Sequence, residues 1–346
     1  MLQLLCGLVL LIAGAELLVR CAMRMAANLK VRPLLIGLTV VALGSSAPQM
    51  TISLQAAFND TPDIAVGSVI GSNIFNILVT LGLSALIIPL RVSRQLVRLD
   101  IPLMILASGL VFALALNQQV DRLDGLILLC SLLIYLGLLL RQSRRSGHHH
   151  ASHDQPPTSW LHNALLMLCA LLLLGVAGHL LLGAAVDIAT ELGLSERIIG
   201  LTIIAVSTSL PELATSLIAA FRGQREIAVG NVIGSNVFNL LGVLGLTALL
   251  APAPLPVSPN ALAFDLPVML GVAVLCLPVF YAGYRVTRAE GVLLLGLYLV
   301  YGLHVMAFTT GMPLAGKLEH LMLLFILPAL LVFLLFSTLR AWRRQH

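Results

Sequence analysis

The sequence predicts an all-α polytopic membrane protein built from two inverted five-helix repeats and one extra C-terminal transmembrane helix. Hydrophobic residues make up 59% of the 346 residues and charged residues only 10%, which is too apolar for a soluble globular protein. Apolar runs recur along the chain, each near the ~20 residues that a helix needs to cross a bilayer. A forty-residue pattern also occurs twice, at a constant offset of 163 residues.

The apolar runs divide the chain into eleven predicted membrane spans. They are 2–19, 33–58, 64–88, 99–117, 123–141, 160–185, 197–221, 227–251, 262–284, 290–309 and 319–340. When Lys and Arg are sorted by the loops between these spans, 17 fall on one side and 3 on the other. The excess of positive charge predicts a cytoplasmic C-terminus and an N-terminus outside. The net charge of +5 therefore indicates the membrane and not nucleic acid as the partner.

The repeat extends beyond the forty-residue pattern to five spans in each half. Asp100-Ile-Pro at the start of the fourth span matches Asp265-Leu-Pro at the start of the ninth, and Arg122 before the fifth matches Arg288 before the tenth. Because five is odd, the second copy must enter the membrane in the opposite direction. We predict repeats at 1–141 and 160–309, a cytoplasmic linker at 142–159, and an eleventh span with a basic tail at 310–346.

Histidines concentrate in the polar linker, at His148, His149, His150 and His153. A metal site is one interpretation. The surrounding Ser, Gly and Pro favour a disordered connector instead.

Both copies of the forty-residue pattern interrupt an apolar segment with Gly, Pro and polar residues. The first copy begins GLTVVALGSSAPQM and ends DIAVGSVIGSNIFN; the second begins GLTIIAVSTSLPEL and ends EIAVGNVIGSNVFN. Proline lacks an N–H group and clashes with the carbonyl four residues back, so Pro48 and Pro211 should break or kink their helices. Freed carbonyls must meet protein or line a cavity, and they are oxygen ligands suited to Na⁺ or Ca²⁺. A duplicated, interrupted segment of this kind is typical of a transporter's substrate site.

Polar side chains of the two copies fall on common helix faces, because they lie three or four residues apart. They predict a chamber of oxygen atoms lined by Ser45, Ser46, Gln49, Ser72, Asn76, Thr208, Ser209, Glu212, Ser235 and Asn239. Ser, Thr and Asn also commonly join helices in membranes, but here the whole pattern recurs at one offset. Glu212 is the one ionisable group of the chamber. A charge within a span costs at least ~2.5 kcal/mol, so such a carboxylate indicates function. Glu16 lies near a span end, where it can pair with Arg20.

These motifs resemble those of the cation/calcium exchanger superfamily, in particular its short prokaryotic sodium/calcium exchanger-like antiporters. The resemblance covers residues 1–309 and rests on G-[TS]-S-x-P-E and G-S-N-x-x-[ND] in each half. It implies ten core helices, a midplane ion site built from spans 2, 3, 7 and 8, and alternating access by sliding of spans 1 and 6. It also implies that the ten chamber residues are ligands or line the site, with Glu212 as the acidic ligand, and that the protein sits in a prokaryotic inner membrane.

The chain departs from the family pattern at Gln49, which stands where the first half of the pattern has an acidic residue after the proline. Family members that exchange sodium for calcium often carry a third acid at the end of one G-S-N-x-x motif, and here both places are Asn, at Asn76 and Asn239. The chamber therefore holds one carboxylate, which leaves a Ca²⁺ ion with uncompensated charge in a medium of low dielectric constant. A monovalent cation would be neutralised, and a proton on Glu212 could neutralise the empty site.

Three alternative functions are compatible with this site. The first is sodium/calcium-type antiport with Na⁺, Ca²⁺ or H⁺ as transported ions. The second is monovalent cation exchange, such as Na⁺/H⁺. The third is a transport-inactive sensor or partner subunit. The sequence contains no catalytic constellation and no phosphate-binding loop, so we expect neither enzymatic activity nor a cofactor, and it leaves the oligomeric state open.

Overall fold

Helices account for nearly all of the computed structural model, which describes residues 2–59, 62–145, 160–191, 204–281, 284–312, 314–326, 328–330 and 332. The helices are α1 Leu2–Asn28, α2 Pro33–Phe58, α3 Ile64–Ile87, α4 Leu96–Asn117, α5 Arg122–Arg145, α6 Trp160–Glu191, α7 in the two segments Ala205–Thr208 and Leu210–Phe221, α8 Arg225–Leu250, α9 Ala261–Tyr281, α10 Arg288–Thr309, and α11 Leu314–His320 continued by Leu321–Ile326. Within the described ranges, nine helices are long and apolar enough to cross a membrane.

The predicted spans agree with these helices apart from their ends. The first span was predicted to end at residue 19, but α1 continues to Asn28. The prediction was too short because it followed the apolar run, whereas charged side chains at the end of a span extend into the interface without ending the helix. Residues 197–203 of the seventh span, the linker histidines and residues 333–340 of the eleventh span lie outside the described residues.

Two short antiparallel β-ladders support the inverted arrangement of the repeats. Strand β1, Leu90–Arg91, follows α3 and pairs with β4, Arg285–Val286, which precedes α10. Strand β2, Gln119–Val120, precedes α5 and pairs with β3, Leu255–Pro256, which follows α8. Each ladder therefore joins the loop after the third helix of one repeat to the loop before the fifth helix of the other. An even number of membrane-spanning helices lies between the two strands of each ladder. Both strands are therefore on the same side of the membrane, as the predicted spans require.

The central helices of the bundle are α3 and α8. Their most apolar windows are 78% and 89% buried, against 33% for both α1 and α6. The first half of α2 packs against α8 and its second half against α3; in the same way, α7 packs its first half against α3 and its second half against α8. The interruption in each of these helices therefore lies where the two repeats meet.

Helices α1 and α6, the first of each repeat, pack along each other, and α1 also packs against α7. Glu16 of α1 accepts a hydrogen bond from Arg20 at 2.6 Å, as predicted, and a second from Arg222 at the end of α7. The exposed ion pair with Arg222 thus joins an outer helix to an inner one.

Candidate functional site

The interruptions of α2 and α7 lie at Ser46 and Ser209, two residues before the prolines. Their backbone angles are nearly the same, with φ −80° and ψ −2° at Ser46 and φ −91° and ψ −1° at Ser209. These values fall near the sparsely populated bridge region that many functional residues occupy. Pro48 and Pro211 occupy the first turn of the helices that restart there, where a missing N–H group is tolerated. The predicted break is therefore present in both copies.

Local π-helical turns occur at matched places in both repeats. Asn76 begins one such turn, Asn76–Leu81 in α3, and Asn239 lies in its counterpart, Phe238–Val243 in α8. Turns of this kind inside α-helices are frequent at functional sites. They rotate the side chains that follow, so the helical spacing read from the sequence does not by itself give the face of the later residues.

All ten predicted chamber residues are buried, each at most 3% exposed. Two matched hydrogen bonds join the repeats: Ser45 Oγ lies 3.3 Å from Ser235 Oγ, and Ser72 Oγ lies 3.2 Å from Thr208 Oγ1. Since Ser45 corresponds to Thr208 and Ser72 to Ser235, the two contacts are related by the internal symmetry. Four of the ten residues are thus brought together as symmetric pairs.

Glu212 is the carboxylate of this cluster and is 1% exposed. Its Oε1 accepts a hydrogen bond of 3.1 Å from Ser46 Oγ of the other repeat. Its Oε2 has no hydrogen-bond partner among the described residues. A buried oxygen of a carboxylate without a partner is costly unless a cation or a proton meets it.

The amide of Gln49 is engaged on both of its ends by its own repeat. Nε2 donates to Ser53 Oγ at 3.3 Å and to Ser68 Oγ at 2.9 Å, and Oε1 accepts from Ser72 Oγ at 3.1 Å. The two halves of the cluster therefore differ: one presents a carboxylate oxygen without a partner among the described residues, and the other presents an amide whose nitrogen and oxygen are both hydrogen-bonded.

Ser209 and Asn76 are not joined to the rest of the cluster by hydrogen bonds. Ser209 Oγ donates to Ala205 O of its own helix at 3.1 Å and makes no bond to Gln49. Both polar atoms of the Asn76 amide lack partners within the described part of the chain, although the side chain is fully buried. By contrast, Asn239 Nδ2 donates to Asn73 Oδ1 at 3.2 Å.

The central contact between α3 and α8 is a reciprocal pair that the predicted site does not include. Asn73 Nδ2 donates to Asn236 O at 3.3 Å, and Asn236 Nδ2 donates to Asn73 O at 3.2 Å. The same two amides reach the sulfur atoms of Met269 and Met104, at 4.0 and 3.8 Å. The pseudo-twofold axis of the fold therefore passes between these asparagines.

Asn231 and Ser68 also belong to the cluster and were missed by sequence reasoning. Asn231 Oδ1 accepts from Ser45 Oγ at 3.1 Å, and its Nδ2 donates to Ser216 Oγ at 2.9 Å. Ser68 occupies the matched position in the first repeat and binds Gln49. The signal was available, because a polar residue stands at this position in both copies.

The described residues contain no group of three or more His, Cys, Asp and Glu side chains able to hold a metal. The cluster consists instead of hydroxyl, amide and carbonyl oxygens with one carboxylate, a donor set suited to hard cations such as Na⁺ and Ca²⁺.

Comparison with known proteins gives one consistent family. The model of the sodium/calcium exchanger protein family matches residues 1–141 and 162–307. The putative antiporter CaxA of Alkalimonas amylolytica is 38% identical over 305 residues, which cover 85% of this chain and 95% of that protein. The inner membrane protein YrbG of Escherichia coli is 38% identical over 304 residues, covering 85% and 93%.

A solved structure of the sodium-calcium exchanger NCX_Mj, soaked with 10 mM Na⁺ and zero Ca²⁺, is 32% identical. It superimposes with a TM-score of 0.75 over 86% of this chain and 96% of that chain. The inverted repeats, the two interrupted helices and these matches lead to one conclusion: the chain belongs to the sodium/calcium exchanger family, as a multi-pass membrane antiporter and not an enzyme.

Proposed function

We propose that the chain exchanges Na⁺ for Ca²⁺ or H⁺ through one chamber between the repeats, with Glu212 as its charged ligand and without a cofactor. The observation that carries this proposal is Glu212 Oε2, a carboxylate oxygen that is buried at the contact of the two repeats and has no partner among the described residues. A cation bound there would neutralise the charge, which an isolated carboxylate in the membrane interior requires.

The surrounding hydroxyl groups support the same assignment. Ser46 contacts Glu212 directly, and the hydroxyls of Ser45, Ser72, Thr208 and Ser235 form the two contacts between the repeats. Hydroxyl groups can rotate to offer a lone pair, so an arriving cation can replace hydrogen bonds between hydroxyls by ligand bonds. The remaining predicted ligands are Gln49, Asn76, Ser209 and Asn239.

Alternating access is supported by the packing of the outer helices. α1 and α6 lie against each other and are much less buried than α3 and α8. We infer that this pair slides past the rest of the bundle and opens the chamber to one side at a time. The family includes an inner membrane protein of Escherichia coli, and we assign this chain to the same kind of membrane.

Exchange of monovalent cations is a second candidate, and Gln49 favours it. Its amide carries no charge and its oxygen already accepts a hydrogen bond from Ser72. A single carboxylate balances Na⁺ or H⁺ fully but Ca²⁺ only in part. The discriminating measurement is uptake of ⁴⁵Ca²⁺ driven by an outward Na⁺ gradient, compared with uptake of ²²Na⁺ driven by a pH gradient.

The test uses the full chain in proteoliposomes, with Glu212→Gln as the variant and Glu191→Gln as the matched control, since Glu191 is exposed at the end of α6. We expect the wild type and the control to show gradient-driven counterflow of at least one cation and Glu212→Gln to show none. Undiminished flux in Glu212→Gln contradicts the assignment of the ligand. Absence of flux for every ion in the wild type supports the transport-inactive alternative.

A further inference from the structure

A second pair of carboxyl groups, outside the cation chamber, occurs at matched places in the two repeats. Asp100 ends the π-helical turn Leu96–Asp100, and Asp265 ends the turn Ala261–Asp265. A proline follows two residues after each aspartate. Turns of this kind are frequent at functional sites, and an acidic residue within a span has a functional explanation by default.

Each aspartate has a tyrosine at an equivalent place on the next helix of its repeat, but the two pairs differ in hydrogen bonding. Asp265 Oδ1 accepts from Tyr301 Oη at 3.1 Å, and its Oδ2 accepts from Asn260 Nδ2 at 3.3 Å. Asp100 is fully buried, and neither of its oxygens has a partner among the described residues. The buried hydroxyl of Tyr135 also lacks a partner there, although it lies close enough to Asp100 to interact with its charge.

An ionised Asp100 would be an uncompensated charge inside the membrane domain. Among the described residues, the titratable group that interacts with this charge is Tyr135 on α5. The arginines at the same end of the molecule, Arg91, Arg94, Arg98, Arg285 and Arg288, are exposed. A proton on Asp100 removes this charge, and with it the cost of an unpaired carboxylate inside the membrane.

We propose that Asp100 is a proton-binding site, separate from the cation chamber, with Tyr135 as its positioning partner. The site lies next to the wall of the chamber, because Met104, one turn further along α4, contacts the amide of Asn236. Loss of the proton places an unpaired charge one turn from this contact. Protonation of Asp100 thus links the packing of α4 to pH independently of Glu212.

The experiment labels carboxyl groups with dicyclohexylcarbodiimide, an apolar reagent that adds to protonated carboxyl groups, and maps the products by mass spectrometry. The full-length wild type and Glu212→Gln are labelled in micelles over a range of pH. We expect labelling at Asp100 in both proteins, decreasing as the pH rises, and severalfold less at Asp265, whose oxygens are occupied. The infrared carbonyl band of a protonated carboxyl group should weaken in Asp100→Asn.

The proposal is overturned when Asp100 stays unlabelled at acidic pH and Asp100→Asn leaves the infrared band unchanged. The label is measured on the wild type, so a poorly folding Asp100→Asn variant removes only the infrared comparison and not the test. Labelling of Asp100 in Glu212→Gln separates this site from the chamber. A failure at Asp100 leaves the proposed role of Glu212 intact.

Discussion

Ser46 Oγ donates a hydrogen bond of 3.1 Å to Glu212 Oε1 across the contact between the two repeats. The symmetric counterpart would join Ser209 to Gln49, but Ser209 donates to Ala205 O instead. The cluster is therefore asymmetric: the charge lies on one repeat and its hydroxyl donor on the other, and an amide, Gln49, stands at the position of the first repeat that matches Glu212.

Ser46→Ala should weaken cation binding more than Ser209→Ala. A hydrogen bond to a charged group contributes about 1.5–3 kcal/mol, so we expect the apparent affinity to fall about tenfold or more in Ser46→Ala. Ser209→Ala is the symmetry-matched comparison, because the Ser209 hydroxyl donates to Ala205 O of its own helix and not to a carboxylate. Ion-dependent flux at varied cation concentration gives both affinities, and equal losses in the two variants would contradict the asymmetric chamber.

Gln49→Glu should raise the affinity for Ca²⁺. A second carboxylate supplies the charge that a divalent ion lacks beside Glu212 alone, and Ser53, Ser68 and Ser72 can donate to it. Binding of ⁴⁵Ca²⁺ to the purified variant measures the change, with Gln118→Glu in an exposed loop as the control for net charge. A variant that binds Ca²⁺ no better than the wild type argues against electrostatic control by position 49.

Gly234→Ala should destabilise the contact between α8 and α2. A Cβ atom at Gly234 would lie 2.7 Å from Leu38 O and 2.7 Å from Ala42 Cβ, so backbone must shift. Overpacking of this kind costs about 1–3 kcal/mol. The midpoint of thermal unfolding in detergent should fall for Gly234→Ala, whereas Gly137→Ala, with open space around it, should leave it unchanged or higher. Equal midpoints would mean that the helices do not approach this closely.

Cysteines at residues 90 and 286 should form a disulfide bond. Leu90 and Val286 are directly opposite each other in the first ladder, and opposed residues in antiparallel strands have Cα atoms about 4.5–5.5 Å apart, within the range of a disulfide. The five native cysteines are first replaced by alanine, and cross-linking is read from the mass of the joined peptides. Leu90→Cys combined with Leu255→Cys, at the equivalent place of the other repeat, should stay unlinked; a bond there would contradict the inverted topology.

The predicted orientation can be measured with a thiol reagent that does not cross membranes. Gln119→Cys, in an exposed position of the second ladder, should react from outside the cell, and Arg285→Cys, at the other end of the bundle, should react only after the membrane is opened. We expect this pattern because Lys and Arg are in excess in the loops around the first ladder, and loops with such an excess stay in the cytoplasm. The opposite pattern of labelling would reverse the orientation.

Part of the buried polar cluster could be predicted because the duplication marks its residues. Ser45, Ser72, Thr208 and Ser235 were predicted from their fixed offset, and they form the two contacts between repeats. The same offset could have found Asn231, Ser68, Asn73 and Asn236, since polar residues fill both copies of these positions. The same reasoning could not predict that Ser209 bonds within its own helix or that the Asn76 amide has no partner among the described residues. The reason is that π-helical turns and helix breaks rotate side chains away from regular helical spacing.

The sequence by itself determined the membrane-spanning class, the inverted repeats, the position of the helix breaks and the presence of one carboxylate in the chamber. The length of the apolar runs, the effect of proline on a helix and the constant offset between the two copies can all be read from the chain alone. The tertiary structure decided which oxygens meet: Ser46 reaches Glu212, and Gln49 is hydrogen-bonded within its own repeat. It also left Asp100 without a partner among the described residues, although Asp265 has two. These outcomes depend on how helices far apart in sequence pack against one another, which no local pattern contains.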